Sequence, residues 1–502
     1  MEHKCMICGQ STKYRKPYCC KCYEKIKDNL NIYQRIADEW KLEAKQENSS
    51  YFYFVDEAND IINGKKNLVI GRKGEGKTAI AQYLYEQQAY NIFTDKLSFK
   101  NFPFNILYAL SNSEYTSPNQ YISIWKYLIY TTICKQMIGN NNIDSDVVNS
   151  LKKIYQGVDS EKKLQRLVQK YTVKEFGIQI AGSGFSVGGD VEGKDITWID
   201  SIDILEDVIL QNVDNSKYYI IFDELDEDYK DFKNQEEKEN YFDLITGLFK
   251  AVQDVKATFS DEKYNIFPVV FLRSDIFNLI TYSDKNKWSD SIIRIKWTEE
   301  KIKSLITHRL NVVMGTQDIP FQECWKILFG KFEIRVGTRK TKKISTFNYI
   351  SRSTQNRPRD YIRYFQECSR LALGRHSLIF KPGIIKMADN EFSEYMKSEI
   401  VDEIYSVLPE YEEIFAILSQ IRKQTFWPTE FASKYDQLVK EAVIPNRDAE
   451  KVLKILFDFS VIGNVPSIKN QSIYKYENDS ARFNFKERII IHRGLYKALQ
   501  IF

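Results

Sequence analysis

In the stretch NLVIGRKGEGKTAI (residues 67 to 80) an apolar run, Leu68-Val69-Ile70, stops at Gly71. After four more residues come Gly76, Lys77 and Thr78, and apolar positions then resume at helical spacing. This is G-x-x-x-x-G-K-[ST] between a strand and a helix, the setting in which the motif binds phosphate. Gly71, Gly74 and Gly76 let the backbone turn with its N–H groups facing inward, and those amides with the helix N-terminus cradle phosphate oxygens. The expected cradle is the whole loop: Gly71, Arg72, Lys73, Gly74, Glu75, Gly76, Lys77, Thr78 and Ala79. Lys77 is expected to reach the β- and γ-phosphates of ATP and the Thr78 hydroxyl to ligate Mg²⁺. The alternative is a glycine-rich turn that holds nothing.

A second stretch, YYIIFDELDE (218 to 227), ends an apolar strand in Asp223 and Glu224. Acids at the carboxyl end of a buried parallel strand lie where open α/β sheets bind ligands. Asp223 is expected to hold Mg²⁺ through water, and Glu224 to polarise the attacking water as general base; carboxylates that merely end a strand are the alternative. Asp226 and Glu227 read as solvated acids. A third strand, FPVVFL (267 to 272), ends at Arg273, with Ser274 and Asp275 next. Arg273 is the candidate γ-phosphate sensor, and Ser274 and Asp275 are its rivals; an ordinary strand-end arginine is the plain reading. Asp284-Lys285-Asn286-Lys287 precedes a further strand, Ser291 to Trp297, where a cation can act on a neighbouring subunit's nucleotide, although lysine lacks the planar fork of arginine.

Five of the eight cysteines lie between residues 5 and 22. Cys5 with Cys8, and Cys19 with Cys22, form two C-x-x-C pairs, the spacing of a structural Zn²⁺ site, with Cys20 to spare. So short a segment has little apolar material, so the metal must supply its folding energy; redox chemistry is the alternative. Lys13, Arg15, Lys16 and Lys21 interleave with Tyr14 and Tyr18, a pattern shared by nucleic-acid contacts and by protein-docking ribbons. Cys134, Cys324 and Cys368 read as buried free thiols suited to a reducing cytoplasm.

The 502 residues imply about three domains. No apolar run is long enough to span a membrane, and the N-terminus MEHKCMICGQ has no secretory core, so a protein neither spanning nor secreted is expected. The net charge of +4 is too small to decide on nucleic acid. The domains expected are a zinc ribbon (1–30), a linker helix (31–50) with Ile32, Ile36, Trp40 and Leu42 on its apolar face, a P-loop core (51–297) carrying an insertion (92–216), a helical lid (298–390) and a winged helix (391–502). The insertion is expected to hold an aromatic-rich helix (Tyr121 to Met137), a charged helix near 160 to 174 and a β-hairpin from Gly177 to Glu192. The lid contains a basic loop, Arg335 to Lys343, solvated or in contact with a phosphate backbone. The run Asn356-Arg357-Pro358-Arg359-Asp360 opens a helix from which Arg357 or Arg359 can reach back to the γ-phosphate. Four short helices are then followed by strand-like segments Val461 to Val465, Ile473 to Tyr476 and Ala481 to Phe485. Arg447, Lys451 and Lys454 mark the last helix for a major groove, although winged helices also dock proteins.

Together VIGRKGEGKTAI, IIFDELDEDY, FLRSDIF, DKNKW, the NRPRDYI helix and the terminal IIIHRGLYKAL resemble bacterial P-loop ATPases of the ORC/CDC6-like AAA+ kind, close to the STAND and KAP groups. The resemblance covers residues 50 to 502. It implies an α/β core, a parallel sheet with flanking helices that binds ATP and Mg²⁺, followed by the helical lid and the C-terminal winged helix. It also implies a place in anti-phage defence loci beside an effector protein. The zinc ribbon lies outside the match, the long insertion is foreign to a minimal AAA+ core, and no clear arginine finger appears. The expected function is an ATP-binding and ATP-hydrolysing switch coupling nucleotide state to DNA or a partner protein, with homo-oligomers allowed. The rivals are a DNA-binding protein, or a defence-complex scaffold, in which nucleotide is only structural; a kinase is disfavoured because no acceptor-site motif is visible.

Overall fold

The structure is a computed structural model describing residues 4–12, 16–100, 104–109, 115–155, 199–226, 229, 235–282, 285–337, 341–467 and 471–501. The chain divides into two compact units, one of residues 54–296 and one combining 1–53 with 297–502.

The first unit is built on a five-stranded parallel sheet of order β2-β3-β4-β1-β5, with β1 Leu68–Gly71, β2 Ile92–Ser98, β3 Lys217–Asp223, β4 Asn265–Arg273 and β5 Ile292–Arg294. The inner strands are near-continuous apolar runs because both faces of a parallel sheet are covered; every residue of β3 from Tyr218 to Asp223 is buried. Helix Ile122–Ile138 is apolar around most of its circumference and is correspondingly buried; its Gln136 amide donates to the Tyr219 carbonyl at 2.9 Å. This corrects the limits of the expected insertion. Residues 92 to 98 are an edge strand of the central sheet, and the aromatic-rich helix packs in its core. The expected charged helix near 160 to 174 and hairpin from 177 to 192 lie outside the described residues.

In the second unit, helices Glu299–Met314, Phe321–Phe329, Pro358–Gly374 and Pro382–Ile404 share one core with the N-terminal helix Asn29–Glu39. Tyr33 stacks on Phe380 at 4.4 Å, Trp40 packs on Phe365 at 5.4 Å, and the Asn29 amide donates to the carbonyls of Ile327 and Leu378. The segment expected to link is thus part of this core. Arg335 to Lys343 is not a plain loop: β6 Glu333–Val336 and β7 Lys342–Ser345 pair antiparallel, turning through Gly337 at φ +85°. Its cations masked the alternation of Glu333, Ile334 and Arg335, of which only Ile334 is buried.

The C-terminal part runs helix Tyr411–Ile421, β8 Thr425–Phe426, helices Pro428–Lys440 and Ala449–Asp458, β9 Ile462–Val465 and β10 Arg488–Ile491. These strands form an antiparallel sheet of order β8-β10-β9. Two of the expected strands fail. Of 473 to 476, Ile473 makes an isolated bridge to Asn464, and 481 to 485 is held by side chains, with Phe483 packed on Phe457 at 5.6 Å. The central strand is β10, in which Ile489 and Ile491 are buried and Ile490 is half-buried, so burial alternates where residue type does not.

Candidate functional site

At the carboxyl end of the parallel sheet the register sets Gly71 of β1 beside Arg273 of β4, and Ser98 of β2 beside Asp223 of β3. The loop leaving β1 reaches helix Lys77–Glu86 through Gly74 and Gly76, at φ +81° and +94°, a backbone that glycine adopts without strain. A Cβ on Gly76 would meet only open space, so the glycine serves backbone conformation rather than packing. Lys77 Nζ donates to the carbonyls of Gly71 at 2.9 Å and Arg72 at 3.0 Å. Its pKa is lowered, first by burial and also by Arg273, against the opposing charges of Asp226, Glu75 and Asp275. Glu75, 6% exposed, accepts from the Arg72 amide at 2.7 Å and pairs with the Arg72 guanidinium at 2.8 Å.

The two motifs meet. Thr78 Oγ1 lies 3.5 Å from Asp223 Oδ1, although 145 residues separate them in sequence. A hydroxyl and a carboxylate are hard oxygen donors that suit Mg²⁺, and an amide-lined loop opening a helix suits the phosphates it bridges. Glu224 sits at φ +62°, in the left-handed region that side chains other than glycine seldom adopt, and its carboxylate accepts from the Ser98 hydroxyl.

Arg273 is 2% exposed at the tip of β4. Asp275 grips it in a fork, Nε to Oδ1 at 3.1 Å and Nη2 to Oδ2 at 2.6 Å, while Nη1 lies 3.4 Å from Asp226 Oδ2. The rival Asp275 therefore serves the arginine, and Ser274 opens the following helix. Asp226, read as a solvated acid, belongs to this cluster. Its spacing three residues after Asp223 was the available signal, but only the fold brings it to Arg273. Lys285 donates to the carbonyls of Phe277 and Ile280, which end that helix; Asp284 is outside the described residues.

At the N-terminus the Sγ atoms of Cys5, Cys8, Cys19 and Cys22 all lie within 4.8 Å of one another, and those of Cys8 and Cys19 are 3.7 Å apart. Zn–S bonds of ~2.3 Å in a tetrahedron give an S···S edge of ~3.8 Å, so the four thiols fit that ion. Burial works against ionising Cys5, but hydrogen bonds from the Cys19, Cys8 and Ile7 backbone and from the Cys8 thiol bring its pKa down to about 6. Ile7 and Ile26 pack on Ile379, and Lys331 Nζ donates to the Cys8 carbonyl at 3.4 Å. The module thus docks on its own chain. Lys13, Tyr14 and Arg15 lie outside the described residues.

Residues 300–401 match the family described as the FunZ-associated C-terminal helical domain. The match covers about a fifth of the chain. Among solved structures, the chain is similar to the Aeropyrum pernix ORC2 protein in ADPNP–ADP complexes, at 12% identity and TM-score 0.39, over 93% of this chain and 98% of that one. It is also similar to Cdc6p from Pyrobaculum aerophilum, at 11% identity and TM-score 0.28, over 88% and 89% of the two chains. A third is Drosophila ORC bound to DNA, at 10% identity and TM-score 0.25, over 98% and 96%. No curated protein matches significantly. At these identities and scores the assignment rests on this chain's own residues.

Within the FunZ-like region, Arg357 is 1% exposed and pairs with Asp360 at 3.1 Å and Glu403 at 2.7 Å. Burial works against its charge, but these carboxylates more than offset that and hold its pKa well above the usual range. Arg359 pairs with Glu43 at 3.1 Å and Glu399 at 3.3 Å. Toward the C-terminus, Arg447 is engaged by Glu410 and the Val407 carbonyl, whereas Lys451 and Lys454 are exposed. Arg482, Asn484, Lys486 and Arg488 are exposed at every second position, with half-buried Phe483, Phe485 and Glu487 between them. Among the described residues no helix is long and apolar enough to cross a membrane.

Proposed function

We propose that the chain is an ATP-binding and ATP-hydrolysing AAA+-type switch. The observation that carries the reading is the approach of Thr78 to Asp223, with Arg273 on the strand between those of the loop and the acid. Phosphoryl transfer to water needs positioning and charge neutralisation rather than covalent chemistry. In this reading the loop amides and Lys77 bind the phosphates, Glu224 takes the proton of the attacking water, and Arg273 faces the γ-phosphate. Thr78 and Asp223 would hold Mg²⁺, which neutralises phosphate charge when bound. Arg357 and Arg359 act at one remove, by holding the helix they open. Cys5, Cys8, Cys19 and Cys22 hold a structural Zn²⁺ that fastens the N-terminal module.

We infer that nucleotide state is coupled to DNA. The order of helices and strands from 411 to 491 is that of a winged helix, and the alternating cations Arg482, Lys486 and Arg488 suit phosphate-backbone contact. A neighbouring effector protein in a bacterial anti-phage system is the partner that the family resemblance implies. None of the eight cysteines is in a disulfide, which suits the cytoplasm. Isothermal titration and steady-state hydrolysis test the core: Lys77→Ala abolishes ATP binding, whereas Glu224→Gln binds ATP without turning it over. Hydrolysis by Glu224→Gln at the parent rate refutes the base assignment, and a parent protein that binds no ATP refutes the whole reading.

A further inference from the structure

Among the described residues two carboxylates reach Arg273, and they are not equivalent. Asp275 follows by two residues, opens the next helix and holds the guanidinium by two bonds of 3.1 and 2.6 Å. Asp226 makes one contact of 3.4 Å, from the turn beyond β3, and its side chain is 34% exposed against 20% for Asp275. A bidentate grip is short and directional, whereas a single long contact from a half-exposed acid is readily exchanged. Asp226 is also the foremost of the negative charges opposing the lowered pKa of Lys77.

We propose that Asp226 competes with the γ-phosphate for Arg273, and thereby sets the preference of the site between nucleoside triphosphate and diphosphate. The inference rests on the nucleotide site proposed above. A γ-phosphate approaching Arg273 meets the like charge of Asp226, which must swing aside, while Asp275 keeps Arg273 in place. A diphosphate ends short of that position and leaves the contact between Asp226 and Arg273 intact. Asp226 is thus a specificity-determining residue that weakens ATP relative to ADP.

The test uses the full chain in a Glu224→Gln background, so that ATP persists, and titrates Mg·ATP and Mg·ADP calorimetrically. Adding Asp226→Asn is expected to raise the ratio Kd(ADP)/Kd(ATP) by about tenfold through tighter ATP binding, the scale of removing one like charge from a binding site. Asp226→Ser, a smaller neutral side chain, gives the same direction and serves if the asparagine variant folds poorly. Asp275→Asn removes the same charge but loosens the arginine, and does not raise the ratio. An unchanged ratio, or one raised equally by Asp275→Asn, overturns the proposal. If the folded Glu224→Gln parent binds neither nucleotide, the nucleotide site itself is refuted, a result distinct from an unchanged ratio.

Discussion

Arg357→Ala should unfold the second unit early and leave the chemistry intact. The guanidinium is surrounded by Asp360, which is 0% exposed, by Glu403 and by the Met396 sulfur at 3.6 Å. Asp360 is itself fixed, accepting from the Gln355 amide at 2.8 Å. Truncating the arginine strands two carboxylates away from water, and breaking a buried pair in this way costs about 3–5 kcal/mol. Domains of this size lose roughly 2–4 °C per kcal/mol, so the transition of this unit should fall by about 10 °C. Differential scanning calorimetry resolves that transition, and hydrolysis per folded molecule, measured well below it, should stay within about twofold of the parent. Removing all the charges together, as Arg357→Met with Asp360→Asn and Glu403→Gln, should recover most of the loss, because the cost lies in the uncompensated acids. A variant that melts like the parent but no longer hydrolyses ATP would refute this reasoning and place the guanidinium on the phosphate.

Three further outcomes are expected. Removing zinc with a chelator, or by Cys22→Ser, should lower melting of the same unit by more than about 5 °C, since the ligands share a small core with Ile7, Ile26 and Ile379; full zinc content and unchanged melting in Cys22→Ser would contradict it. Burial works against ionising Asp214, but Ser216, Tyr218, Asn140 and Asn142 outweigh it and bring its pKa down to about 2. A depressed carboxylate stabilises the fold above its unfolded pKa of about 4 and loses that contribution as pH falls toward 2. The urea midpoint should therefore drop across that window, and less steeply in Asp214→Asn. Ser98→Ala releases the Glu224 carboxylate from its hydroxyl partner and should raise basal hydrolysis a few-fold in a phosphate-release assay; an unchanged rate means that the contact does not restrain the base.

What could be read from the sequence was whatever depends on neighbours along the chain. The loop from Gly71 to Thr78 and the acids at 223 and 224 carry their chemistry in local spacing, and the two C-x-x-C pairs announce a cluster before any fold is known. The strand β2 gives no clear signal along the chain because its burial pattern is mixed, as befits a sheet edge. The docking of Asn29 and Tyr33 on the Ile327 and Leu378 carbonyls joins residues some 300 positions apart, which no periodicity encodes. The strand β10 is hidden in the sequence because three successive isoleucines do not alternate.

The arginines show where local reasoning ends. Arg273 and Arg357 both follow the same rule, a cation at the tip of an element near an expected phosphate, and both are almost wholly buried. They differ in their carboxylates. Arg357 is held within one helix and by its neighbour, through a pair of acids exposed by 0% and 8%. Among the described residues Arg273 has one firm acid and one loose, partly exposed acid, at the strand ends where Lys77, Thr78 and Asp223 converge. A buried cation whose acids are themselves buried and close supports structure, whereas one whose second partner is distant and exchangeable can answer to a ligand's charge. On that criterion we propose Arg273 for the chemistry and Arg357 for the scaffold, and the ratio measurement on Asp226 together with the melting of Arg357→Ala tests both halves of the distinction.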